Sequence, residues 1–336
     1  MKDKVIHILH KRVFWILVLI ITSIFSLTIG VKDFDLYGIF TGSREDVSLA
    51  LISRLPRLLS ILVTGASLSI AGLIMQTMTQ NKFVSPSTAG TMEWCRLGVV
   101  IAILFFGGQA TISKMFAAFI TSLFGTLLFM QILQRLQFKN AMIIPLIGMM
   151  LGNVVSSVAS FFAYKYDIIQ NMSSWLQGNF ALVVKGRYEI LYLGIPFLII
   201  AYLYANKFTI AGMGESFSLN LGLNHKTVVM IGLIIVAVIT STVVVTIGSI
   251  PFIGLIVPNI VALIKGDNLK KSLPDTAILG ALFVLVCDIL GRVILYPYEV
   301  SISVIVSVLG SVVFLSLLYR RKKVWGHSHG KRKSTT

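Results

Sequence analysis

Few side chains in this sequence could do chemistry, and those few sit in surroundings hostile to it. Asp288 and Arg292 stand four residues apart, and Glu93 and Arg96 three apart. Both spacings put the pair on one face of a helix. Such pairs can act as structural ion pairs or as steps of a proton relay. Each charge costs about 2.5–3.5 kcal/mol at the centre of a bilayer and less near an interface. Arg292 lies near the outer end of its apolar segment and is expected to snorkel outward. No further carboxylate or histidine lies deep in the apolar segments to extend either pair into a relay.

The sequence also lacks an energy source. A phosphate-cradling loop needs G-x-x-x-x-G-K-[ST]. The nearest approach, Gly326 with Gly330-Lys331-Arg332, has the wrong spacing and the wrong final residue. No HExxH, GxSxG or paired-cysteine metal motif occurs. His327 and His329 alone make an incomplete metal site, and no metal or cofactor is expected on this chain. Cys95 and Cys287 both fall in apolar segments, so no disulfide framework is indicated. The chain reads as no enzyme. Any directional work must draw its energy from another subunit.

The elements that hold these residues are set by the solvent. Of 336 residues 56% are hydrophobic and 12% charged, with a mean hydropathy of +0.89. A soluble chain of this size cannot bury that much apolar surface, whereas a bilayer absorbs it in spans of roughly 20 residues. Ten segments qualify or nearly do: Val13–Val31, Leu58–Thr79, Val84–Phe106, Ile112–Leu133, Met142–Tyr164, Tyr188–Ala205, Thr227–Ile247, Phe252–Ile264, Thr276–Tyr296 and Ile302–Leu318. The expected architecture is all-α and polytopic, a single membrane domain over residues 1–336. With both termini cytoplasmic, the inner segments hold 19 of the 29 Lys+Arg, which is the positive-inside bias. The net charge of +16 therefore reads as topology and contact with anionic lipid, not as nucleic-acid binding. The N-terminal apolar run is too long for a signal-peptide core and reads as the first span.

Three local patterns stand out. The eighth segment is short, follows Pro251 and contains Pro258. The carbonyl that Pro258 frees must be satisfied by protein or cavity water, so the segment belongs inside the bundle. It is either a kinked helix or a wall of a pathway. Gly65, Ala66, Ser69 and Gly72, and again Gly148, Gly152 and Ser156, recur at helical spacing and point to close helix packing. The inner loop between the sixth and seventh segments carries Glu215 to Leu221 between Gly214 and Gly222. That stretch is expected to be a short helix offering Phe217, Leu219 and Leu221 to a partner's groove or to the lipid surface. Outside, Arg54-Leu-Pro-Arg57 opens the second segment against the inside bias, as either a headgroup anchor or a docking site for an acidic partner.

Taken together, these pieces resemble the FecCD-type permease family of iron–siderophore and vitamin B12 ABC importers. The resemblance rests on Arg54-Leu-Pro-Arg57 with Gly65-Ala66, Ala71-Gly72 and Gln76. Asn81-Lys-Phe-Val-Ser-Pro86 followed by Gly90 adds to it, with Lys82 where the family usually has proline. So do Trp175-Leu-Gln-Gly178, Gly214-Glu215 with Leu221-Gly222, Pro251-Phe-Ile-Gly-Leu-Ile-Val-Pro258 and Asp288-Ile-Leu-Gly-Arg292. It implies the ABC importer type II permease fold, paired with an identical or paralogous second permease around a central pathway. It implies two ATPase subunits inside, which use the ATP, and a siderophore-binding protein outside. The chain would lie in the bacterial cytoplasmic membrane. Arg54, Arg57 and Arg292 match the positions that meet acidic residues of the binding protein. Gly214, Glu215, Leu219, Leu221 and Gly222 match the loop that docks on the ATPase. Trp175, Gly178, Pro258 and Asn259 are pathway or gate candidates. Asn259 stands where the family often has histidine, and Glu299-Val-Ser-Ile-Ser303 lacks the usual proline and glycine. The chain looks most like the subgroup importing catecholate siderophores such as petrobactin. The alternatives are a vitamin B12 or haem-type importer permease, or an ion-coupled secondary transporter.

Overall fold

A computed structural model of the chain describes residues 12–30, 44–106, 111–135, 143–183, 188–266 and 268–330. The ends of the first and fifth expected segments at Val31 and Met142, much of the Lys32–Arg57 loop and the basic Lys331–Lys333 lie outside these residues.

The described chain is helical, with one isolated bridge between Gln177 and Ser249. The helices are α1 (Arg12–Thr28), α2 (Arg44–Leu49), α3 (Leu55–Met78), α4 (Thr91–Phe106), α5 (Thr111–Arg135), α6 (Ile143–Lys165) and α7 (Ile169–Leu176). They continue with α8 (Gly194–Leu203), α9 (Ala205–Ala211), α10 (Glu215–Asn220), α11 (His225–Thr246), α12 (Ile253–Lys265), α13 (Leu269–Val293) and α14 (Ile302–Gly330). Among the described residues, five helices are long and apolar enough to cross a membrane. Three shorter apolar ones, α1, α12 and the Ile302–Leu317 part of α14, join them. With α4 and one broken span, these fill the ten expected places. The broken span is the sixth: Glu189–Leu203 and Ala205–Ala211 meet at a bend of 62°, next to the end at Ala205 expected for that segment, and the start of the expected inner loop is helical as α9. α2 runs into α3 through a π-helical turn at Ala50–Arg54, so Pro56 falls in the first turn of α3 without ending the helix.

The glycine stripes decide how the helices meet. A Cβ on Gly65 would lie 2.4 Å from Gly280 O of α13, and one on Gly72 would lie 1.9 Å from Gly254 O of α12. α3 is thus the central post, touching two helices backbone to backbone, as its small residues predicted. On α6, Cβ atoms at Gly148 and Gly152 would meet Thr88 O at 2.3 Å and Gly90 Cα at 3.2 Å. That stripe packs on the turn leading into α4.

The directions of the helices are fixed by their end contacts. Arg12 at the start of α1 pairs with Asp275 near the start of α13 at 2.9 Å. Ser26 and Ile29 at the other end of α1 meet Arg292 at the far end of α13. α3 runs the opposite way, with Arg57 at the Arg292 end and Thr77 against Gly212, just before α10. α3 has 24 residues, so these two ends lie about 36 Å apart at 1.5 Å per residue.

Candidate functional site

The residues with chemistry gather at the two ends of this bundle. At the first end, Arg57 extends two arms. Nη1 donates to both carboxylate oxygens of Glu299 at 2.9 Å, and Nη2 donates to Asp288 Oδ1 at 2.8 Å. Arg292 Nη2 lies 2.8 Å from Asp288 Oδ2 as an ion pair, and its Nη1 donates to the carbonyls of Ser26 and Ile29 at 2.8 Å each. Arg54 also donates to the Ile29 carbonyl. One carboxylate therefore holds two guanidinium groups, and the carbonyls at the end of α1 take up further donors, while Arg57 Nε and Arg292 Nε are buried without a hydrogen-bond partner. The arrangement ties α1, α3 and α13 together with the segment before α14.

This overturns the expectation that Arg292 snorkels outward. Its side chain is only 3% exposed, against 14% for Arg57 and 25% for Glu299. The acceptors at the end of α1 and the carboxylate one turn back on α13 draw it inward. Arg54 is likewise buried. The three expected docking arginines are brought together, and each is bonded within the chain. Asp288 and Glu299 complete the cluster. The sequence marked Asp288 through its spacing to Arg292, and nothing local marked Glu299 as a partner of Arg57.

The second pair behaves differently. Arg96 Nη1 donates to Ser156 Oγ of α6 at 3.2 Å and lies beyond ion-pair distance of Glu93. The buried Glu93 Oε2 has no hydrogen-bond partner. Shared helical face did not translate into contact, because α6 offers Arg96 a nearer acceptor.

At the opposite end, α10 is a compact device. Gly214 (φ +112) and Gly222 (φ +71) adopt backbone conformations that L side chains rarely take, and they turn the chain into and out of the helix. Ser218 is fully buried and anchors the helix through Oγ–H to Gly214 O at 2.8 Å. Its neighbours point the other way: Leu219 is 59% and Leu221 58% exposed. Phe217 and Met213 are exposed beside them, and Glu215 opens the helix. Of the site residues expected here, Gly214 and Gly222 make the turns, and Glu215, Leu219 and Leu221 are exposed.

The gate candidates lie in two places. Gly178 accepts from Ser301 Oγ at 2.6 Å through its carbonyl and donates its N–H to Ser303 Oγ at 2.9 Å. A Cβ there would strike Ser303 Oγ at 2.5 Å. The segment after Trp175 is therefore laced to the start of α14 and to Ser249, which accepts from Ser303 Oγ–H at 2.6 Å. Pro258 is buried inside α12, and the Asn259 Nδ2 donates to Leu255 O and to Lys82 O, both at 2.7 Å. Phe252, at φ +65, is a strained turn into α12. The inner ends of α3 and α9 leave a cavity of about 240 Å³ lined by Gln76, Gln80, Lys82 and Met213 among others. Gln76 belongs to the first stretch of the family resemblance, but its contacts with α12 have no sequence signal beyond its position one turn after Gly72.

A family model described as the FecCD transport family matches residues 16–320. The chain is 59% identical over 306 residues to the petrobactin import system permease protein YclN of Bacillus subtilis (strain 168), covering 91% of this chain and 97% of that protein. It is 38% identical to the petrobactin import system permease protein FatD of Bacillus anthracis, covering 92% and 90%. Among solved structures, a "metal-chelate type ABC transporter" in "an inward-facing conformation" superposes with a TM-score of 0.78 at 24% identity, covering 91% of this chain and 97% of that one. That likeness shows the fold, the one expected from the motifs.

Proposed function

The chain belongs to the FecCD transport family, and from that premise we propose that it is the membrane-spanning subunit of an ATP-driven importer of ferric catecholate siderophores of the petrobactin kind. The observation that carries the substrate class is the 59% identity to YclN over nearly the whole of both chains. In this reading the chain binds no cofactor, and a pair of separate ATPase subunits supplies the energy.

The geometry supports the division of labour. The end holding α10 also holds Arg12 and the start of α13, and the basic excess predicted for the inner face belongs to that end. We place it in the cytoplasm, with both termini. Leu219 and Leu221 then face the solvent where an ATPase would dock, and burying them in a groove is the natural use of two exposed leucines at the end of a six-residue helix. The Arg57 end faces out, toward the siderophore-binding protein. Arg57 and Glu299 form its accessible rim. Arg54 and Arg292 act from behind, holding Arg57 and Asp288 in register.

A second permease subunit is supported by α6. Only 33% of its apolar stretch is buried, against 78% for the stretch that includes α3. Its exposed face includes Asn153 and Ser157 near the middle of the helix. An exposed amide at that depth is unfavourable in lipid and suits a wet pathway between two permeases. The ion-coupled alternative is disfavoured by Asp288, whose carboxylate is committed to Arg57 and Arg292.

The test is uptake in cells. Deleting the gene should abolish accumulation of radiolabelled ferric petrobactin, and the plasmid-borne gene should restore it. Undiminished petrobactin uptake with loss of ferric hydroxamate uptake would instead assign a different chelate class.

A further inference from the structure

α12 contains a helix defect, and the molecule repairs it from a neighbouring helix. Pro258 has no N–H, so the carbonyl of Gly254, four residues earlier, lacks its helical donor. Gly254 and Leu255 are buried in the bundle, where water cannot routinely supply the missing bond. An unpaired buried carbonyl is costly there. The Nε2 of Gln76 fills the place, donating to Gly254 O at 3.3 Å and to Leu255 O at 3.2 Å.

The position of Gln76 follows from packing. It stands one turn after Gly72, whose missing Cβ lets α3 approach Gly254 directly. The two glycines bring the helices together, and the next turn of α3 delivers the amide. Both groups that Gln76 meets are carbonyls, so its NH2 must point at them, and its Oε1 is left buried without a partner. A side chain of similar shape but without the two donors would not serve.

A second amide completes the arrangement. Asn259, next to the proline, donates to Leu255 O and to Lys82 O, both at 2.7 Å. Lys82 belongs to the turn that leaves α3. That turn is pinned by Asn81 N–H to Gln76 O at 3.0 Å and by Phe83 N–H to Asn81 Oδ1 at 2.9 Å. Beside it lie Gly212 and Met213, which lead into α10 across the cavity they share with Gln76.

We propose that Gln76 is a positioning residue for transport. By replacing the donor that Pro258 lacks, and with Asn259, it joins α12 to the inner end of α3 and its turn as one unit. A displacement applied at α10 then reaches α12 through that unit instead of dissipating at the proline. Gln76 touches no substrate in this account. The proposal rests on the importer reading above, and its test separates the two.

The test is a double-mutant cycle on the permease reconstituted with its ATPase and binding protein, using ferric petrobactin. Gln76→Met should lower petrobactin transported per ATP hydrolysed roughly tenfold, the scale of leaving a buried carbonyl unpaired. Pro258→Ala restores an N–H at position 258. In that background Gln76→Met should cost less than about threefold, because the two residues supply the same bond. An equal loss in both backgrounds, or a parallel fall in hydrolysis and transport with an unchanged ratio, overturns the proposal. If Gln76→Met fails to accumulate in membranes, the double variant should recover its abundance, and failure to recover it also overturns the proposal. Absence of petrobactin-stimulated hydrolysis in the wild type would strike the importer reading alone. The abundance and thermal stability of the four proteins would still decide whether Gln76 repairs the proline.

Discussion

The two ends of α3 solve opposite problems with opposite chemistry. At the Arg57 end, both carboxylates of the cluster are answered within the chain: Asp288 holds Arg57 and Arg292, Glu299 holds Arg57, and α1 lends backbone carbonyls. At the α10 end, Leu219 and Leu221 are exposed and covered by nothing among the described residues. The first end is a closed network whose outermost groups are charged. The second is an open apolar surface on a short, tightly turned helix. The difference teaches where each partner's binding energy comes from. Charge at a rim steers encounter and fixes register more than it adds affinity, whereas a buried leucine contributes about 1.5–3 kcal/mol. A transient binding protein suits the first end, and a lasting ATPase contact suits the second.

The sharpest way to break this comparison is to open the closed end. Asp288→Ala leaves Arg57 and Arg292 facing each other without the shared carboxylate. Removing one member of a buried ion network costs about 3–5 kcal/mol. The variant should accumulate poorly or melt far below the wild type in detergent. Normal abundance and melting would mean that the cluster is not what holds α1, α3 and α13 together.

A smaller structural effect with a large functional one is expected at the other end. Leu219→Asp would place a charge without a partner in the ATPase groove, costing several kcal/mol there and little in the isolated chain, where the residue is exposed. The permease should insert normally, fail to retain the ATPase on purification and lose uptake. Retained ATPase would return α10 to an interfacial helix lying on lipid.

The mildest perturbation tests the rim. Glu299 is partly exposed and bound to Arg57, so Glu299→Gln should change stability by less than about 1 kcal/mol. It should free Arg57 for an acidic partner and raise the association rate of the binding protein a few-fold at low salt, with the gain fading at high salt. A slower association would show that Glu299 itself makes the contact.

Much of this was legible in the sequence, for physical reasons that differ from place to place. The glycine stripes of α3 and α6 were readable because close backbone approach has one cheap solution, the absence of a Cβ. α10 was readable because Gly214 and Gly222 fence it and the intervening residues alternate between an anchor, Ser218, and exposed leucines. Pro258 announced an orphaned carbonyl. The donor that answers it, Gln76, lies on another helix at a distance only the packing of Gly72 on Gly254 could define. Arg292 was misplaced for the same reason. Whether an arginine near a helix end turns outward depends on what waits inside, and here that is the end of α1, more than 260 residues earlier in the chain. The bend between α8 and α9 falls where Asn206 and Lys207 break the apolar run, a break that reads as the end of a span, although the chain stays helical beyond it as α9. For topology, a cysteine at the exposed Asn220 serves as an inner probe and should resist labelling from outside in sealed cells.

The central claim is that this chain carries ferric petrobactin on energy borrowed from another subunit. It is tested most directly by ATP hydrolysis in proteoliposomes holding the permease, its ATPase and its binding protein. Ferric petrobactin with the binding protein should stimulate hydrolysis and drive iron into the vesicles, with ferric hydroxamates giving neither, and both effects should vanish with Leu219→Asp. Iron entry driven by an ion gradient without ATP, or hydrolysis indifferent to petrobactin and its binding protein, would contradict it.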